Sequence, residues 1–79
     1  MSFKTLLQNV PPNLEAWQER ALREALELIE RLEKLDAFIS GSVYESLPPA
    51  EQVRLEWQLS AMTSYTQALC SRIAAWSFA

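Results

Sequence analysis

The sequence predicts an all-α fold: a long antiparallel two-helix hairpin with a short helical turn between the helices and an N-terminal arm or short helix before them. Two long stretches lack internal Gly and Pro and repeat apolar residues at alternating steps of three and four. This is the spacing of helices that pack along their length. The one Gly and the four Pro fall between these stretches or at their ends, where they interrupt helices. We expect two hairpins to dimerise into a helical bundle.

A chain of 79 residues has room for one domain, so residues 1–79 are predicted to form a single helical domain whose residues 1–12 are the arm. The first long helix is predicted over residues 14–40. Asn13 is its candidate N-cap, because the side-chain oxygen can accept a hydrogen bond from a free amide of the first turn. From Ala21 onward the apolar residues of this helix, which form its seam, step alternately by four and three; the apolar residues are Leu14, Ala21, Ala25, Leu28, Leu32, Leu35 and Ile39.

The connection between the helices contains the only glycine, Gly41. We expect it to end the first helix in the left-handed conformation that glycine adopts readily. Ser42 and Glu45 have the spacing of a capping box, in which the serine would be the N-cap. A short helical turn is therefore predicted over residues 43–47.

The second long helix is predicted over residues 49–76. Pro48-Pro49 opens it, since proline is tolerated in a first turn, where its missing N–H is not needed. Facing the two seams antiparallel brings Trp17 close to Trp76 at the open end of the hairpin. The seam of the second helix consists of Leu55, Leu59, Met62, Thr66, Leu69, Ile73 and Trp76.

The composition argues against an enzyme. The chain has no His and one Cys, Cys70, which removes the common nucleophile–base pairs and most zinc sites. A single Gly leaves no Gly-rich phosphate loop. Cys70 lies among apolar residues of the second helix and is interpreted as a small buried thiol. We expect no catalytic residue, no cofactor and no metal.

Charge and hydrophobicity indicate where the protein works. The formal net charge is −3 and the pI is about 4.8. These values argue against direct nucleic-acid binding, which requires a basic surface. No apolar run approaches the roughly 20 residues of a membrane span, and residues 1–10 lack the pattern of a signal peptide. A lone cysteine fits a reducing compartment. We expect a cytoplasmic protein with no membrane partner.

The second helix has almost no charge in its last part. Between Trp57 and Ala79 the only charged side chain is Arg72, whereas a helix lying on one partner carries charges on its outer face. Three interpretations stay open: a homodimer or larger homo-oligomer, docking of the arm, or binding of a foreign protein. Aromatic and Arg side chains anchor interfaces, so the candidate interface residues are Trp57, Tyr65, Arg72 and Trp76.

The middle of the chain resembles a family of small helical-hairpin proteins found in tailed phages and prophages. The match covers about residues 33–73, and its pattern is Phe38-Ile39, a short turn, then Glu51-Gln52. It continues through the second helix with Gln58, Met62, Tyr65, Leu69 and Arg72-Ile73. The resemblance implies a helical-hairpin fold and a phage origin, and it carries no activity.

Phage origin leads to three hypotheses about function. The leading one is a phage accessory protein that binds and inhibits a host protein complex, such as a CRISPR effector or another nucleic-acid-binding defence component, by analogy with anti-CRISPR proteins. The alternatives are a sponge for small signalling nucleotides, with pockets at an oligomer interface lined by Tyr44, Tyr65 and Arg72, and a structural or assembly protein of the phage. In the leading hypothesis a basic nucleic-acid groove would be engaged by the acidic face of the first helix, which consists of Glu19, Glu27, Glu30, Glu33 and Asp36.

Overall fold

The computed structural model describes residues 13–76, which fold into three helices, two of them long. These are α1 (Ala16–Ile39), α2 (Ser42–Glu45) and α3 (Pro49–Ala74). The described residues contain no strand, so the predicted all-α class is confirmed. The predicted arm, residues 1–12, lies outside the described residues. No helix of residues 13–76 has the length and apolar character needed to cross a membrane.

The start of α1 corrects the prediction for Asn13. The N-cap is Glu15, two residues later, and it forms a capping box with Gln18. The backbone N–H of Glu15 donates to the side-chain oxygen of Gln18 at 2.8 Å. A capping box satisfies two amides of the helix start reciprocally, whereas Asn13 could satisfy only one. The helix therefore begins at Ala16.

The predicted left-handed cap at Gly41 is wrong. Gly41 has φ −99° and ψ 171°, an extended conformation, and no glycine has a positive φ. The first helix instead ends at Ser40, whose hydroxyl donates to the carbonyl oxygen of Asp36 at 3.0 Å. Gly41 rather than Ser42 is the N-cap of α2, and it makes no side-chain cap hydrogen bond, so the predicted capping box of Ser42 with Glu45 does not form.

The turn between α2 and α3 is held by Gln52. Its side-chain nitrogen donates to the carbonyl oxygens of Tyr44 at 3.1 Å, Glu45 at 3.3 Å and Leu47 at 3.0 Å. The hydroxyl of Tyr44 donates in return to the carboxylate of Glu56 at 2.9 Å. Because the chain reverses here, the last carbonyls of α2 and the turn need donors from outside the helix, and Gln52 supplies one. The carbonyl oxygen of Tyr44 also accepts from the backbone N–H of Leu47 at 3.1 Å.

The buried core lies at one end of the helix pair. It is a cluster of Ala25 and Ile29 from α1 with Leu69, Cys70 and Ile73 from α3, flanked by the partly buried Leu22, Leu28 and Trp76. The contacts pair the early part of α1 with the late part of α3. Toward the turn, seam side chains are only half-buried: Leu32, Leu35, Leu55, Leu59 and Met62.

Candidate binding face on helix α3

Trp57, Tyr65 and Arg72 share one side of α3: at 3.6 residues per turn they fall within about 80° of one another around the helix axis. Trp76 follows the last helical residue by two and packs against the core, so it joins this face to the interior. Ala61 and Ala68 lie between the large side chains and leave the middle of the face shallow.

The large side chains of this face are open to solvent. Trp57 is 70% exposed and Tyr65 is 48% exposed. Arg72 is exposed, and no acidic side chain of residues 13–76 pairs with it. Exposed aromatic side chains beside a guanidinium without an acidic partner are typical of a surface that binds a ligand or another protein.

A second aromatic group adjoins this face at the open end. The ring centroids of Trp17 and Trp76 are 5.6 Å apart and the ring planes are at 86°, so their predicted proximity is confirmed. Trp17 is 49% exposed. Arg20 follows Trp17 by three residues, a spacing at which side chains are neighbours on a helix surface. Arg72 lies in the last turn of α3, four residues before Trp76. Each indole therefore has an arginine near it in the chain.

Charge is distributed unevenly along the helix pair. Residues 13–25 and 66–76 carry three acids (Glu15, Glu19 and Glu24) and three bases (Arg20, Arg23 and Arg72). Between residues 26 and 65 seven acids stand against three bases. The open end is thus neutral and the turn end acidic, which directs an anionic ligand toward the open end. The acids of the turn end are Glu27, Glu30, Glu33, Asp36, Glu45, Glu51 and Glu56.

The acidic face of α1 is solvent-exposed along its whole length. Glu30 pairs with Lys34 at 3.3 Å, and both side chains are largely exposed. Glu33 and Asp36 lie at the edge of an open groove of about 240 Å³, whose apolar floor is Leu32 and Leu59. Nothing in this arrangement distinguishes the five acids from a solvated helix surface. They are Glu19, Glu27, Glu30, Glu33 and Asp36.

Tyr44 lies far from the other two residues of the suggested nucleotide pocket. Burial, and then its hydrogen bond to Glu56, raises the pKa of the Tyr44 hydroxyl. That hydroxyl also contacts the carbonyl oxygen of Gln52 at 3.3 Å. Tyr65 is thirteen residues beyond Gln52, about 20 Å along the helix axis. One chain therefore does not bring Tyr44 together with Tyr65 and Arg72.

The single thiol is placed as the sequence predicts. Cys70 is free and buried in the core cluster, and desolvation raises its pKa. A raised pKa lowers the thiolate fraction at neutral pH and makes the thiol a poor nucleophile. No group of three metal-ligating side chains occurs among residues 13–76.

Comparison with known proteins gives one match. No curated protein and no solved structure matches the chain. The predicted phage origin and anti-CRISPR-type activity receive no support from these comparisons. The sequence model of a family described as Sequestin matches residues 15–75, a range that contains all three helices. The chain therefore belongs to the Sequestin family.

Proposed function

We propose that the protein sequesters a small signalling nucleotide, which it binds and withholds without converting it. Membership of the Sequestin family is the observation that carries this proposal, because it indicates a sequestering or binding role. Of the functions considered from sequence, the nucleotide sponge is the one that fits such a role. Inhibition of a host complex such as a CRISPR effector stays a prediction that no comparison supports.

The open end of the helix pair is the proposed binding place. A nucleobase can stack on the exposed indole of Trp17, and stacking on an aromatic side chain contributes about 1–3 kcal/mol per base. Arg20 lies near Trp17 in the chain and Arg72 near Trp76, and their planar guanidinium groups suit the geometry of phosphate oxygens. An indole pair with two guanidinium groups near it in the chain thus offers partners for both parts of a nucleotide.

Charge supports this end over the rest of the surface. The acids outnumber the bases by four between residues 26 and 65, whereas the two are balanced at the open end. A phosphate approaching the turn end meets net repulsion, and one approaching the open end does not. In this proposal the two long helices form an antiparallel hairpin and the protein is a dimer or larger oligomer.

Binding and release test the proposal. The full chain is titrated calorimetrically with cyclic mononucleotides and cyclic dinucleotides, using their linear counterparts for comparison. After heat denaturation, the ligand is analysed by mass spectrometry. We expect binding of a cyclic nucleotide and recovery of the same compound intact. Binding of none of the panel, or recovery of a converted product, would contradict sequestration of this ligand class.

A matched pair of variants tests the location. Arg20→Ala removes a cation beside Trp17, and Arg31→Ala removes an equally exposed cation from the acidic part of α1. We expect the first substitution to weaken binding about tenfold or more, the loss expected from one charge-assisted contact to phosphate. The second should leave affinity unchanged. Equal effects would contradict binding at the open end.

A further inference from the structure

The exposed face of α3, like any helical face, has the same spacing in both chain directions, so what distinguishes it is which residues stand at symmetric positions. Ala61 and Ser64 lie four and seven residues after Trp57. Ala68 and Tyr65 lie four and seven residues before Arg72. The midpoint falls between Ser64 and Tyr65. A two-fold axis there superposes the face on itself with the helices antiparallel. The six positions are Trp57, Ala61, Ser64, Tyr65, Ala68 and Arg72.

We propose that two copies of this chain pair α3 against α3 in antiparallel orientation, with Trp57 of each copy packed on Arg72 of the other. In this register Ala61 of one copy faces Ala68 of the other. Ser64 and Tyr65 lie at the axis, where each meets its own counterpart. The interface is isologous, as in most homodimers.

The paired groups complement each other chemically. Trp57 is 70% exposed, and Arg72 pairs with no acid of residues 13–76. A guanidinium lying on an indole face is a favourable cation–π contact that buries the ring without burying an unpaired charge. The alanines opposite each other allow the helix axes to approach closely between the two Trp57–Arg72 contacts. A foreign partner would not require the face to match itself.

Charge also selects the antiparallel orientation. The surplus of acids lies between residues 26 and 65, and the open end is neutral. Antiparallel pairing sets the acidic turn end of each copy beside the neutral open end of the other. Parallel pairing would place the two acidic turn ends side by side and add repulsion.

Pairing would complete the nucleotide site, a consequence that rests on the proposed function. Arg72 lies one helical turn before Trp76, which contacts Trp17. Trp57 of the second copy would therefore cover the guanidinium plane of Arg72 next to the indole pair. The N–H edges of a stacked guanidinium stay free to donate to phosphate oxygens. Each dimer then holds two sites, each built from both copies.

Exchange of the two partners tests the contact in the native sequence background. Trp57→Arg alone opposes two cations, and we expect it to weaken the dimer about tenfold or more by light scattering and sedimentation. The double variant Trp57→Arg/Arg72→Trp rebuilds the contact in reverse and should recover the dimer. A monomeric native chain, or a double variant that dimerises no better than Trp57→Arg alone, would overturn the proposal.

Cross-linking tests the register and orientation without any nucleotide, so its outcome is independent of the proposed function. In a Cys70→Ala background, Ser64→Cys places two thiols at the two-fold axis. Ser71→Cys lies on the same side of α3, seven residues on, and antiparallel pairing separates its two copies by about 20 Å. Oxidation should link the first variant and leave the second unlinked. Equal linking of both would show parallel pairing, and failure of the first to link would show a different interface; either overturns the proposal.

Discussion

The indole rings of Trp17 and Trp76 meet edge to face, with centroids 5.6 Å apart and planes at 86°. This contact joins the first turn of α1 to the residues just past the end of α3. It covers the end of the buried cluster, because Trp76 also packs against that cluster. The two rings therefore cover this end of the buried cluster, and part of the Trp17 ring stays exposed to solvent.

Trp17→Ala should lower the free energy of unfolding by about 1–2 kcal/mol, since an aromatic pair contributes about 0.5–1.5 kcal/mol beyond its area and part of the ring is buried. Trp17→Phe keeps a ring at the position and should restore most of the loss. Urea unfolding followed by circular dichroism measures both variants. Equal losses for the two would indicate that the ring contact adds nothing to the buried area.

Gln52→Ala should be more destabilising than its surface position suggests. The side chain donates to the carbonyl oxygens of Tyr44, Glu45 and Leu47 at the turn. Removing the donor leaves the carbonyl oxygens of Glu45 and Leu47 to water or unpaired, at a cost of about 1–3 kcal/mol, while that of Tyr44 keeps the backbone N–H of Leu47. Gln58→Ala is the matched control, because the amide of Gln58 contacts only the sulfur of Met62, at 3.9 Å. If both variants unfold at the same urea concentration, Gln52 does not stabilise the turn.

The periodicity of apolar residues predicts the core well and the connections poorly. The seam positions Ala25, Leu69 and Ile73 are all buried, because a heptad repeat encodes which side of a helix meets its neighbour. Ile29 and Cys70 are buried as well, although they flank the seams. A contact between two helices is wider than one line of residues, and the repeat does not specify its width.

The turn could not be predicted because its hydrogen bonds depend on tertiary geometry. The acceptors of Gln52 are backbone carbonyls, which carry no sequence signal. The candidate binding face follows from helical spacing, which places Trp57, Tyr65 and Arg72 together. Within one chain the same spacing separates them from Tyr44, which lies beside Gln52 and Glu56. A pocket that joins Tyr44 to the others at an oligomer interface stays a prediction.

Gly41→Ala should be neutral or stabilising, contrary to the prediction of a left-handed cap. The backbone angles of Gly41, φ −99° and ψ 171°, are accessible to any residue. An added Cβ would lie 3.4 Å from the carbonyl oxygen of Phe38, an ordinary contact. Alanine restricts the unfolded chain more than glycine, a gain of about 0.4–1 kcal/mol, which offsets the poorer N-cap that alanine makes for α2. Thermal unfolding of the native chain and of Gly41→Ala measures the effect. A clear fall in the midpoint temperature of the variant would mean that Gly41 has a positive φ in solution.

The hydroxyl of Tyr44 predicts a loss of stability at alkaline pH. Burial and the neighbouring carboxylate of Glu56 raise the pKa of this hydroxyl above its ordinary value of 10.0, so the folded state binds this proton more tightly than the unfolded state. The resulting stabilisation is fully present below pH 10 and is lost as the pH rises through the raised pKa. Tyr44→Phe removes the titrating group along with its hydrogen bond to Glu56. Urea unfolding of both proteins between pH 8 and pH 11 should therefore show a lower but flatter stability for the variant over the upper part of this range. Parallel pH profiles would mean that the hydroxyl of Tyr44 is as free in the folded chain as in the unfolded one.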